Sequence, residues 1–416
     1  MKIRRQKYID ELNKWWEGNG KEALFVLGVK NIGKTELVRD WANEKGINFN
    51  YFDEELYSEI KEIFNDSTVK SFDTSLAIVN KMMFQSIGDL LIFDGIRPKD
   101  EIIVQIKKLC ATSNKRYILI SDFNDYVFED TRFYPVGSLK ILKIEPIDFL
   151  EYCYIRLNPY MIESAKMVAL NEENKTIPFF EKFESIWEDY LNYGGFPSVV
   201  AKLIEQGYMS ARDEIERFRL DILNFVRGNI NYSANLCSLL ENLSNKRSTT
   251  YNRFVFNSIS PTDTYQRYKR AISILVKLGI INFLPFKGES LFFEYCDLYF
   301  CDSGFESLSD EVSKNHVIES VLCSFGIKKG YKVARYVLEN SDKTIDLVYE
   351  DLIPYFLDIK LKNTNSKELS AQKYKDFIMT HSGTVKPFVL VDKGLSFVET
   401  ISKARIMPVW VFLLSE

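Results

Sequence analysis

The sequence predicts an α/β chain built on a parallel sheet, and three observations carry that prediction. Gly28-Val29-Lys30-Asn31-Ile32-Gly33-Lys34-Thr35 is a complete G-x-x-x-x-G-K-[ST] phosphate loop. The run Ala23-Leu24-Phe25-Val26-Leu27 ahead of it is short, apolar and bounded, as a buried strand is, while Glu36 to Trp41 behind it sets Leu37, Val38 and Trp41 on one helical face. Strands and helices then alternate to about residue 150, a pattern that builds a parallel sheet covered on both faces. Together these define a P-loop NTPase domain over residues 1–150.

The elements follow in order. Residues 1–22 hold a helix with Ile9, Leu12, Trp15 and Trp16 at helical spacing. Strands are expected at Ala23–Leu27, Phe49–Phe52, Leu90–Phe93, Tyr117–Ser121 and Ile141–Ile144, with helices at Leu56–Phe64 and Ser75–Met83 among the connections. Residues 151–235 read as a helical lid rich in Phe, Tyr and Glu, turned at Tyr193-Gly194-Gly195-Phe196-Pro197. Residues 236–300 read as a winged helix: Thr262 to Arg270 leads into a helix that stops on Gly279, and Ile280–Pro285 with Leu291–Tyr295 would form the wing, turned at Lys287-Gly288. Residues 301–416 form a last α/β domain, reading helix, three strands, helix, strand and a final strand at Val409–Leu414.

Composition narrows the function. The 416 residues are 46% apolar and 27% charged, ordinary for globular domains. A net charge of -4 gives no global attraction to nucleic acid, so any DNA contact comes from a local patch. Residues 241–280 supply one: Lys246, Arg247, Arg253, Arg267, Lys269, Arg270 and Lys277 stand against Glu241 and Asp263, a net +5. The six cysteines form no C-x-x-C pair, and His316 and His381 stand apart from them, so zinc has little support and reduced, mostly buried thiols are expected. Asp10 and Glu11 follow the basic N-terminus where a secretory signal would be apolar, and no run reaches the roughly 18 apolar residues of a membrane span. A cytoplasmic protein with no membrane partner is the expectation.

In the phosphate loop, backbone N–H groups and the positive end of the helix dipole favour an anion. Gly28, Asn31, Ile32, Gly33, Lys34, Thr35 and Glu36 would line the nucleotide, with Lys34 reaching the β- and γ-phosphates and the Thr35 hydroxyl holding Mg²⁺. Asp94, at the end of the apolar strand Leu90–Phe93, supplies the acidic residue that steadies Mg²⁺ through water. ATPases of this general type follow that Asp with a Glu that activates the attacking water; here Gly95 follows. Hydrolysis is therefore expected to be slow or to take its base from elsewhere, with Asp122 past the next strand as a candidate.

A second constellation lies near the C-terminus: Glu319 on a helix, Asp346 in a strand, and Asp358-Ile359-Lys360 ending the next. Asp358 and Lys360, two apart in a strand, share a face. Two carboxylates holding Mg²⁺ or Mn²⁺, here Asp346 and Asp358, with a lysine to orient water, is what a metal-dependent phosphodiesterase needs. Gln372 and Lys375 on the following helix would add phosphate contacts.

Taken together these residues resemble the predicted AAA-superfamily ATPases of bacteria and archaea that carry a C-terminal domain related to PD-(D/E)xK nucleases. The resemblance rests on Gly28–Thr35, Leu142 to Glu151, Gly194-Gly195-Phe196-Pro197, Leu298 to Gly304, and the set Glu319, Asp346, Asp358 and Lys360. It implies ATP as the nucleotide, an α/β ATPase core with a helical lid, a winged helix and a restriction-nuclease-like domain. The sequence departs from that family at Gly95, and Val136-Gly137-Ser138 offers no Gly-Arg pair, which leaves the γ-phosphate-sensing arginine and the oligomeric state unassigned. Three functions follow: an ATP-dependent switch on double-stranded DNA, an ATP-gated nuclease, or a nucleotide-binding scaffold for a protein partner.

Overall fold

The computed structural model describes residues 2–18, 22–54, 58, 88–98, 100, 102–103, 106, 110–111, 114–128, 137, 139–169, 178–231, 233–245, 250–251, 265–287, 296–308, 312–337, 344–360, 385–391, 397–398 and 405–416. The chain divides into two compact units, residues 2–145 with 277–279, and residues 146–276 with 280–416.

The first unit opens with α1 (Gln6–Glu17), which buries Tyr8, Ile9, Leu12 and Trp15 at three- and four-residue spacing. Trp15 and Trp16 pack on Trp41 of α2 (Lys34–Glu44), with ring centroids 6.4 and 5.9 Å apart. Five strands, β1 (Ala23–Leu27), β2 (Phe49–Phe52), β3 (Leu90–Phe93), β4 (Arg116–Ser121) and β5 (Leu139–Lys143), form a parallel sheet in the order β2-β3-β4-β1-β5. The last strand begins two residues before the position read from sequence, because Leu139 also carries a buried face. β1 sits between β4 and β5, with Phe25 level with Leu119 on one side and Ile141 on the other. All five of its residues are buried, as an interior strand of a covered parallel sheet requires. Because all strands run the same way, the ends of β1, β2, β3 and β4 meet at one edge, where such sheets bind ligands. The expected helices Leu56–Phe64 and Ser75–Met83 lie outside the described residues.

The second unit begins with helices α3 (Phe149–Arg156), α4 (Pro159–Ala169), α5 (Phe180–Tyr193), α6 (Pro197–Gln206), α7 (Tyr208–Asn229) and α8 (Ser233–Asn245). Then come β6 (Thr250–Tyr251), α9 (Tyr265–Lys277), β7 (Ile281–Lys287), β8 (Cys296–Phe300), α10 (Ser303–Glu306) and α11 (Lys314–Lys328). The chain ends with β9 (Lys332–Val337), β10 (Thr344–Glu350), β11 (Tyr355–Lys360), β12 (Lys386–Val391), β13 (Phe397–Val398), β14 (Arg405–Pro408) and α12 (Val409–Ser415). The strands form one nine-stranded mixed sheet, β13-β14-β12-β11-β10-β9-β7-β8-β6. β7 and β8 pair antiparallel from Ile281 opposite Phe300 to Pro285 opposite Cys296, and the far end of β7 pairs with β9 through Phe286 and Lys287. The hairpin is therefore an interior part of the sheet rather than a projecting wing. Its second strand lies at Cys296–Phe300, while Leu291–Tyr295, where that strand was expected, is outside the described residues. Among the described residues no helix is long and apolar enough to cross a membrane.

One element differs in kind from its sequence reading. Val409–Leu414 is helical, not a strand. A short run without polar residues has no period that separates a buried strand from a buried helix. The surroundings decide it: α12 packs against α3, α4, α5 and β12, with Trp410 stacked on Phe183 at 5.0 Å and Phe412 against Phe388 at 5.1 Å. Val409 to Leu414 are all buried, as in a helix enclosed on every side.

Candidate nucleotide-binding site

β1 delivers the chain directly into the loop of residues 28–33. Gly28 is required by close approach, since a Cβ there would stand 2.5 Å from the carbonyl oxygen of Ile144. Gly33, in the left-handed region at φ 85°, starts α2 and brings no capping side chain of its own to the first-turn N–H groups. Asn31 is also left-handed, at φ 67°; Ile32 is buried, and Glu36 is exposed in the first turn of α2.

Lys34 is 4% exposed, and its ammonium donates to the carbonyls of Gly28 and Val29 at 3.0 Å each and to Asp122 Oδ1 at 2.6 Å. Lys30 binds the other oxygen, Asp122 Oδ2, at 3.1 Å. Burial alone would raise the Asp122 carboxyl, but the charges and hydrogen bonds of the two lysines outweigh it and hold its pKa below the usual carboxylate range. Asp122 thus counters the loop's cations, and both its oxygens are occupied in that task.

One turn on, Thr35 Oγ1 donates to Asp94 Oδ2 at 2.5 Å, and Tyr51 of β2 donates to the same oxygen at 2.9 Å. The backbone N–H of Gly95 donates to Asp94 Oδ1 at 2.8 Å. Burial raises the Asp94 pKa in spite of these three hydrogen bonds. A hydroxyl beside a half-buried carboxylate that accepts from Thr35, Tyr51 and the Gly95 N–H, all neutral donors, fits Mg²⁺, which takes oxygen donors and would stabilise the ionised form. Thr35 and Asp94 would hold the ion, whose chemistry there is to neutralise phosphate charge. Tyr51 was not foreseen from sequence; it reaches Asp94 only because β2 pairs with β3.

Gly95 lies at φ +81°, and a Cβ on it would stand 2.8 Å from both Cβ and Cγ of Glu54. The backbone here excludes the acidic residue that the resemblance led one to expect. Glu54 follows β2, and its carboxylate is bound by the Arg97 guanidinium.

The C-terminal constellation gathers around a cation that the sequence reading missed. Arg335 of β9 donates to Glu319 Oε2 at 2.7 Å, lies 2.9 Å from Asp297 Oδ2, and lies 3.7 Å from Asp346 Oδ1. Tyr299 donates to Glu319 Oε2 at 2.7 Å, and the Ile359 N–H donates to Asp346 Oδ2 at 2.7 Å. Asp358 is 1% exposed, with the Lys360 ammonium 3.3 Å from its Oδ2. Burial, then repulsion from Asp358 and Glu319, pushes the Asp346 carboxyl upward. Among the described residues no group of three or more His, Cys, Asp or Glu has the geometry to hold a metal ion. The Arg335 guanidinium thus offsets the charge of Asp297, Glu319 and Asp346 in this arrangement. Gln372 and Lys375 lie outside the described residues.

Three sequence segments behind the family resemblance meet in a structural junction. Asp302 accepts from the backbone N–H of Gly195 at 2.7 Å and of Gly304 at 3.0 Å. Ile147 N–H donates to the Gly195 carbonyl at 2.8 Å, Tyr190 donates to the Ile147 carbonyl at 3.0 Å, and Ser303 donates to the Tyr190 carbonyl at 2.8 Å. Burial pushes the Asp302 carboxyl up to about 6 against those two backbone donors. The junction ties α3, α5, α6 and α10 together and presents no chemistry of its own.

The AAA domain family model matches residues 20–153, the stretch that holds the loop, Asp94 and Asp122. That stretch is similar to AAA domains and carries a complete phosphate loop. No curated protein matches the chain. Among solved structures, a Walker-type ATPase of Pyrococcus abyssi is similar at 15% identity, over 74% of this chain and 95% of its own, with a TM-score of 0.45. A signal-transduction ATPase with a tetratricopeptide repeat sensor from Pyrococcus horikoshii is similar at 13% identity over 79% of this chain, with a TM-score of 0.27. This chain spans only 45% of that protein. AMPPCP-bound DnaA from Aquifex aeolicus is similar at 15% identity, over 66% of this chain and 88% of its own, with a TM-score of 0.29. Likenesses at these scores carry no functional argument.

Proposed function

We propose that the protein is an ATP-binding switch whose nucleotide state sets its hold on double-stranded DNA, with slow hydrolysis as the reset. The observation that carries this is the paired arrangement at one sheet edge: Lys34 held by Asp122, and Thr35 held by Asp94. Bound ATP replaces the first pairing with phosphate and, with Mg²⁺, recruits the second. Support for DNA comes from α9, which buries Ala271, Ile272, Ile274 and Leu275 while Arg267, Lys269 and Arg270 are exposed. The C-terminal domain is read as a nuclease-like fold that does not cut, because Arg335 supplies internally the positive charge that a metal would bring.

Fluorescent-nucleotide titration and DNA binding across a salt series test this together. Lys34→Ala should weaken ATP binding at least tenfold, in line with a lost charge-assisted hydrogen bond of about 1.5–3 kcal/mol. Replacing Arg267, Lys269 and Arg270 by Ala should reduce the salt slope of DNA binding by up to about 3. Plasmid should stay uncut with Mg²⁺, Mn²⁺ and ATP. DNA affinity that ignores nucleotide, or cutting that stops in Asp358→Ala, would sink this reading; nucleotide-dependent capture of a protein in place of DNA would favour a scaffold.

A further inference from the structure

We infer that Glu54, on the neighbouring strand's end, is the residue that activates water for ATP hydrolysis, taking the place left empty by Gly95; this rests on the ATPase reading above. The register sets it there. Phe52 pairs with Phe93, and the Asp94 N–H donates to the Phe52 carbonyl at 2.9 Å, so residues 53–54 and 94–95 leave the sheet side by side. A side chain grown from residue 95 would run into Glu54, whose Cβ and Cγ stand 2.8 Å from that first carbon. Glu54 therefore fills the space a glutamate at 95 would use, from a backbone that tolerates a side chain.

The other carboxylates of the site are committed. Asp94 accepts from Thr35, Tyr51 and the Gly95 N–H, and both Asp122 oxygens are taken by Lys34 and Lys30. Glu54 has a 60% exposed side chain, and the Arg97 guanidinium pairs with its Oε1. In the reaction, Glu54 takes a proton from water as the water oxygen bonds to the γ-phosphorus. The bond from that phosphorus to the β–γ bridging oxygen breaks, ADP leaves with the electron pair, and Glu54 returns the proton to solvent.

Single-turnover hydrolysis and nucleotide binding, measured on the full chain, test this in Glu54→Gln, with Asp53→Asn as the neighbouring comparison. A general base contributes about 10²–10⁴-fold. Glu54→Gln should therefore lose at least ~100-fold in hydrolysis while its ATP affinity stays within about threefold of wild type, and Asp53→Asn should keep its turnover. Turnover by Glu54→Gln near the wild-type rate, loss confined to Asp53→Asn, or ATP binding by the wild type without any hydrolysis would each overturn the assignment of Glu54. Failure of the wild type to bind ATP at all would instead overturn the nucleotide-binding reading and this assignment with it.

Discussion

Lys34 and Asp122 hold one another in an ion pair that the proposed nucleotide would have to open. The Lys34 ammonium is buried, and its partners besides Asp122 are two backbone carbonyls, so removing the carboxylate leaves a buried charge undercompensated. The same removal takes away the phosphate's competitor. Asp122→Asn should therefore destabilise the nucleotide-free protein by about 1–3 kcal/mol, yet gain more from added ATP than wild type does. Thermal melts with and without Mg²⁺-ATP read both effects; an unchanged melting temperature in the free protein would show that the pair does not restrain Lys34. Lys34, Thr35 and Asp94 were legible in the sequence because the loop is contiguous and the acid ends an apolar strand. Tyr51, Lys30 and Arg335 were not, because each meets its carboxylate through strand pairing or loop curvature that no local spacing encodes.

Among elements, α12 shows where sequence reading fails for a physical reason. Strands β1, β3 and β4 of the parallel sheet were legible because each is a short apolar run bounded by polar or turn residues. Val409–Leu414 is equally apolar, but its neighbours include α3, α4, α5, α11, β10 and β12, brought from distant parts of the chain. Its helical state is thus a property of the packing. Trp410 is fully buried, stacked on Phe183 and edge-on to Phe180 at 5.3 Å. Trp410→Ala should cost about 3–5 kcal/mol in denaturant unfolding. A loss below about 1 kcal/mol would mean that α12 is not part of this core. The β7–β8 hairpin teaches the same lesson: its existence was legible, but its place inside a nine-stranded sheet depends on β9, which lies over thirty residues further along.

Across the whole molecule, the buried ionisable groups of the second unit set a direction for stability against pH. Burial raises the Asp302 carboxyl to about 6, against roughly 4 when unfolded, so between those values the folded state holds more protons. Stability from this group falls as pH rises through that window, by up to roughly 3 kcal/mol. The raised carboxyl of Asp346 acts with the same sign. At His316 burial lowers the pKa, but the buried Glu306 carboxylate, 2.8 Å from Nε2, outweighs it and the net shift is upward. Its stabilisation is complete below the unfolded value of about 6.5 and is lost as pH rises through the higher folded value. Asp122 in the first unit and Glu350 in the second oppose this only in acid, since their lowered carboxyls lose stability as pH falls below about 4. The protein should therefore be most resistant to guanidinium near pH 4.5–5 and weaken steadily toward pH 8. Asp302→Asn should flatten the fall between pH 4 and 6, and His316→Gln the fall above 6.5, each leaving the other segment in place. A midpoint that climbs from pH 5 to 8 would show that Asp302 and His316 are not ionised as their buried partners dictate.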